Sequence, residues 1–221
     1  MLNKISKRDY RQRAHSNPFK DLDVEIPTNP QEVDWTKYFA NGSKPEFLDI
    51  GCGYGRFMFE SAKIHKDNIL GLEIREKVYE YVKNIIKQEN LINVGVIKTN
   101  ALLFLPNFFE EKSLKKVFVL FPDPHFKKRK QKGRVICCQM MNILEYILED
   151  KGRLYISTDV KELFSDMVET VLKSGFFTRL SEEEAIKDDL YEVTYKNTDE
   201  ALRAGVKSGH TFGAIFIKNK N

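Results

Sequence analysis

Residue types that can do chemistry fall into a few short segments of this chain. The first is Leu48-Asp49-Ile50-Gly51-Cys52-Gly53-Tyr54-Gly55. Glycines at alternate positions after an apolar run let backbone approach a ligand closely, and a helix opening there offers free N–H groups. A dinucleotide-binding loop reads GxGxxG, to seat a pyrophosphate. Here the spacing is GxGxG, with Asp49 before it and Arg56 after it. An acid beside the loop suits a cationic ligand better than a pyrophosphate. S-adenosylmethionine, with its sulfonium and ammonium, has that character.

Two further segments fit an adenosyl pocket. Gly71-Leu72-Glu73-Ile74 puts an acid about twenty residues past the loop, where a carboxylate can hold two ribose hydroxyls. Thr99-Asn100-Ala101 offers a short amide and backbone N–H groups to an adenine edge. Asn100 is equally suited to cap a helix. The reacting group is expected in Leu120-Phe121-Pro122-Asp123-Pro124-His125-Phe126, where two prolines leave Asp123 little backbone freedom. Directly after come residues 127–134, six of the eight basic. Beside a reacting centre, with a second basic and aromatic stretch at residues 7–15, this run points to nucleic acid.

These segments need a frame, and the hydrophobic pattern supplies one. Short apolar runs at 47–50, 69–74, 94–98, 116–121, 154–158 and 214–217 predict six strands. Helical spacing is expected over 76–90 and 135–148, and again between the last two strands, where Gly175 stands at the cap position. Strands alternating with helices imply a parallel sheet covered on both faces, with ligands at the carboxyl ends of its strands. Residues 1–45 read as a basic arm with little regular structure, and 46–221 as one domain.

Bulk numbers narrow the class. The 221 residues are 42% hydrophobic and 31% charged, with net charge +4, an ordinary globular balance. Three cysteines without CxxC spacing give neither a disulfide framework nor a zinc site, and the four histidines show no ligand spacing, so no metal is expected. No apolar run reaches the roughly 18 residues of a membrane span, and the polar start lacks a secretory pattern. An intracellular protein is expected.

Five motifs in fixed order, YRQRAHSNP (10–18), DIGCGYG (49–55), GLEIR (71–75), LFPDPHFK (120–127) and the Thr198-Asp199-Glu200 region, resemble the tRNA (guanine-N7-)-methyltransferases. The resemblance spans nearly the whole chain. It implies a Rossmann-like class I methyltransferase fold, with a mostly parallel seven-stranded sheet and helices on both faces. It implies cofactor contacts from Gly51, Glu73, Ile74, Arg75, Asn100, Ala101, Leu120, Thr198 and Glu200, with S-adenosylmethionine as the cofactor. Asp123 takes the catalytic position. RNA contacts are implied for Arg11, Arg13, His125, Lys127, Lys128, Arg129 and Arg134. The RAHSNP and PHFK forms are similar to the eukaryotic branch, which implies a WD-repeat β-propeller partner and nuclear residence. Gly133 departs from the pattern, where a bulkier or basic residue is expected.

Guanine N7 carries a free lone pair, so alkylating it requires no base, and the product ring is cationic. An orienting and electrostatic role is therefore expected for Asp123. Competing readings are a methyltransferase of exocyclic amines, an RNA-binding subunit without activity and a nicotinamide oxidoreductase. The first expects Asp or Asn before two prolines, which Asp123-Pro124-His125 does not supply. The last loses on loop spacing.

Overall fold

The computed structural model describes residues 5–12, 26–196, 198, 199, 201–203 and 210–220, and of residues 128 and 130 the backbone only. Seven strands form one sheet: β1 (Phe47–Ile50), β2 (Ile69–Glu73), β3 (Val94–Lys98), β4 (Leu114–Leu120), β5 (Leu148–Thr158), β6 (Phe177–Arg179) and β7 (Phe212–Lys218). Their spatial order is β3-β2-β1-β4-β5-β7-β6. Strands β1 to β5 pair in parallel, and β7 runs antiparallel between β5 and β6. This is the expected class I architecture.

Central strands read as continuous apolar runs because both faces are covered. Every residue of β1 and of β2 is buried. On one face lie α1 (Arg56–Ile64), α2 (Glu76–Gln88), α6 (Glu182–Ile186) and α7 (Tyr191–Tyr195), packed around Phe47, Met58, Phe118, Tyr155 and Ile215. On the other lie α3 (Ala101–Phe104), α4 (Cys138–Ile147) and α5 (Lys161–Lys173), around Leu48, Leu70, Val117 and Leu154. Helix α1 sits so close that a Cβ on Gly71 would come within 2.5 Å of the Met58 sulfur. Gly175 follows α5 at φ +75°, the left-handed position expected of a helix-ending glycine. No helix among the described residues is long and apolar enough to cross a membrane.

Six strands were expected, five at nearly these positions; β5 begins at Leu148, where the end of a helix was expected, well before the expected start at residue 154. The seventh, β6, is three residues long with only Phe177 buried, so it lacks a readable alternation. The short α3, α6 and α7 carry too few turns for a period to show.

Ahead of the expected boundary at residue 45, some described residues also reach the core. Residues 30–32 and 35–37 form single 3-10 turns, capped by the Asn29 and Asp34 side chains. Trp35 (7% exposed) and Phe39 (2%) are buried in the core, and the Trp35 ring stands 6.2 Å from the rings of both Phe39 and Phe109. Trp35 and Phe39, with half-buried Val33 and Tyr38 packed beside them, span too few positions for a period to betray the burial. Trp35→Ala should cost about 3–5 kcal/mol in denaturant unfolding. A drop under about 1 kcal/mol would show that this segment lies outside the cooperative core.

Candidate active site

Strand order reverses between β1 and β4, which opens a crevice at their carboxyl ends. Asp49 of β1 stands in register with Gly71 of β2 on one side and Phe118 of β4 on the other. The glycine loop and the Asp123 loop therefore leave the sheet as neighbours. The Gly51 and Cys52 N–H groups both donate to the Leu72 carbonyl, at 2.8 and 3.0 Å, tying the loop to the end of β2. Gly51, Gly53 and Gly55 take φ of +80°, +55° and +76°. Two physical demands separate them. A Cβ on Gly55 would press within 2.8 Å of the Phe59 ring, whereas one on Gly51 would meet nothing within 4 Å. Open space therefore adjoins the backbone at Gly51, where a ligand can approach the chain.

Glu73 ends β2 and is 3% exposed. Its Oε1 accepts from the Arg75 backbone N–H (2.9 Å) and Nε (3.0 Å), and its Oε2 from Arg75 Nη2 (2.7 Å). Burial lowers the Arg75 pKa, but the Glu73 carboxylate more than offsets this, and the net shift is upward. Ile74, between them in sequence, is half-buried. The Asn100 carboxamide oxygen accepts from the Leu102 N–H at 3.1 Å, so Asn100 caps α3, and Ala101 is the first residue of that helix. Leu120 ends β4, half-buried. Thr198 is buried, and its hydroxyl accepts from the Ala201 N–H at 2.9 Å. Glu200 lies outside the described residues.

After β4 the chain makes one more sheet contact, Phe121 N–H to the Ser157 carbonyl at 2.8 Å, and then turns sharply. Phe121 (φ +49°) and His125 (φ +44°) both take left-handed conformations, each a cost of about 1 kcal/mol or more for a residue with a side chain. Between them Asp123 is half-buried, and its Oδ1 accepts from the His125 N–H at 3.0 Å. The His125 ring Nδ1 stands 3.6 Å from the same oxygen. Arg134 donates from Nε (3.0 Å) and Nη2 (2.9 Å) to the Pro124 carbonyl, and from Nη1 to Asp166 (2.8 Å) on α5. Gly133 lies beside His125: a Cβ there would stand 3.4 Å from the ring Nε2, an ordinary contact, so the local space does not require glycine at this departure from the family pattern. Lys127 and Arg129 are exposed, and so is Phe126, at 74%. The Lys128 side chain lies outside the described residues.

The N-terminal segment holds what spacing did not reveal. Lys7 pairs with Asp199 and stands 5.4 Å from the centroid of the Tyr54 ring, while Arg56 Nη1 lies 3.8 Å from Asp199. Tyr10 meets Tyr81 edge to face and accepts from the Asn84 amide at 3.1 Å. Gln12 accepts from the Lys77 N–H at 2.9 Å. Residues 7–12 thus run along α2 beside the glycine loop, with Arg11 exposed. Lys7 and Asp199 are 192 positions apart, a pairing no local pattern exposes. Arg13 lies outside the described residues. Burial, then the Asp49 and Glu73 charges, push the Cys52 thiol well above its usual range, which disfavours the thiolate that a nucleophile needs.

Comparison with known proteins places this geometry. The family model Methyltransf_4, described as "Putative methyltransferase", matches residues 43–214. A tRNA (guanine-N(7)-)-methyltransferase of Caenorhabditis elegans is 40% identical, with 97% of this chain and 89% of the relative covered. A relative of the same name from Bombyx mori is 41% identical, over 95% of this chain and 94% of its own. Among solved structures, an S-adenosylmethionine-dependent methyltransferase from Aquifex aeolicus superposes with TM-score 0.53 at 12% identity, covering 77% of this chain and 80% of its own. The aminoglycoside resistance methyltransferase NpmB1 superposes with TM-score 0.50 at 16% identity, covering 78% and 86%. At such identities the likeness is one of fold. The two relatives at about 40% identity carry more, and by them this chain belongs to the tRNA (guanine-N(7)-)-methyltransferase family.

Proposed function

We propose that the protein transfers a methyl group from S-adenosylmethionine to N7 of a guanine in the variable loop of tRNA, forming 7-methylguanosine. The observation that carries this reading is the pairing of β1 with β4, which sets the open glycine loop beside the loop of Asp123. Family membership supplies the substrate.

The residues present fit the cofactor. Gly51 leaves its backbone open to a ligand, and buried Asp49 and Glu73 put negative charge beside the space a cation would enter. A carboxylate offers about four acceptor sites, and Arg75 fills three of Glu73's. Holding both ribose hydroxyls thus requires Arg75 to give up part of its grip. When bound, S-adenosylmethionine supplies a methyl group on a positive sulfur. The chain's own task is alignment and electrostatics. Asp123 accepts hydrogen bonds from guanine N–H groups, turns N7 toward the methyl group and stabilises the positive charge that develops on the ring. No proton leaves N7, so the carboxylate does not act as a base.

Exposed Lys127 and Arg129, with Lys128 between them and Arg11 and Arg13 on the arm, serve the phosphates. Phe126, mostly exposed beside them, offers a face for a base to stack on. A WD-repeat β-propeller as non-catalytic partner and residence in the nucleus complete the reading. Both rest on the similarity of the RAHSNP and PHFK motifs to the eukaryotic branch.

Nucleoside mass spectrometry of unmodified tRNA incubated with the chain and S-adenosylmethionine, with and without the propeller subunit, tests the reaction. Appearance of 7-methylguanosine in either arm is expected; its absence from both overturns the assignment. Replacing Lys127, Lys128 and Arg129 by Gln should weaken tRNA binding and flatten its salt dependence. The log–log slope should fall by roughly 0.7–0.9 for each phosphate that is no longer neutralised. An unchanged slope would reassign the run to nuclear import or solubility.

A further inference from the structure

The basic run divides into two parts with different surroundings. Lys127 and Arg129 are exposed. The 3-10 helix Lys128–Gly133 then turns the chain back, and Arg134 meets the loop ten positions upstream. Its side chain is only 17% exposed, and three of its five N–H donors already serve protein acceptors. We propose that Arg134 is a positioning residue, a clamp that holds the Asp123 loop in its working shape, and does not bind RNA phosphate. This deepens the methyl-transfer reading and rests on it.

Backbone chemistry explains why a clamp is needed. Pro122 and Pro124 fix their own φ angles but have no N–H, so they cannot tie the loop down by donating. Left-handed Phe121 and His125 add conformations that relax unless held. The Pro124 carbonyl, next to Asp123, is a handle that an outside donor can grip. The Arg134 fork grips it twice, and Asp166 on α5 anchors the third arm of the guanidinium. A lysine keeps the charge but cannot form this planar fork.

Asp166→Asn and Arg134→Lys, compared with the wild-type chain in whichever assembly is active, distinguish a clamp from a phosphate contact. Asp166 is acidic and cannot bind phosphate, so only a clamp makes turnover depend on it. Arg134→Lys should lower kcat roughly ten- to hundredfold at unchanged tRNA affinity, salt slope and S-adenosylmethionine affinity, the last showing a folded protein. Asp166→Asn should lower kcat by a smaller factor in the same way. Wild-type kcat in Asp166→Asn overturns the clamp. So does weakened tRNA binding by Arg134→Lys with its salt slope reduced by about one and its kcat intact. Hydrogen exchange at the Phe121, Asp123, His125 and Phe126 amides reads the clamp without the reaction. Faster exchange in Arg134→Lys upholds it even if wild type makes no 7-methylguanosine, in which case the functional reading alone fails. Unchanged exchange overturns it.

Discussion

Parallel neighbours β1 and β4 carry the site, because their connections run outward to opposite halves of the sheet. A crossover helix cannot cover the gap between two loops that diverge, so a crevice opens above this one strand pair. Three parts of the proposed site stand on or next to its rim. The glycine loop leaves β1, Glu73 stands at the end of adjacent β2, and Asp123 follows β4. The rim is rigid because the strands below it are buried on both faces, so each loop starts from a fixed point.

The two loops meet different demands from that footing. The glycine loop must let backbone come close, and it does so with residues that take positive φ at little cost. The Asp123 loop must present a side chain, so its left-handed positions fall on Phe121 and His125, where the strain has to be held from outside. The local contacts supply that hold: the His125 N–H on the Asp123 carboxylate and Arg134 on Pro124. Residues of very different type thus act on one short stretch of backbone.

Legibility in the sequence follows the same division. The GxGxG spacing, the acid of Gly71-Leu72-Glu73 and the prolines around Asp123 are local patterns with local causes, and they read correctly as strand-end loops. Asn100 was legible as a helix cap, and its carboxamide oxygen caps α3. What escaped was long-range or too short to be periodic. Trp35 and Phe39 span too few positions, β6 has three residues, and Lys7 finds Asp199 from the far end of the chain. A basic run reads as uniform, yet burial separates Arg134 from Lys127 and Arg129.

In the proposed reaction Asp123 orients and stabilises without removing a proton. Single-turnover methyl transfer by Asp123→Asn, set beside calorimetric binding of S-adenosylmethionine to the same variant, tests it most directly. A rate lower by on the order of a hundredfold or more is expected, with cofactor affinity nearly intact. Near-normal transfer by the variant would contradict it, as would a fall in rate that merely tracks weaker cofactor binding.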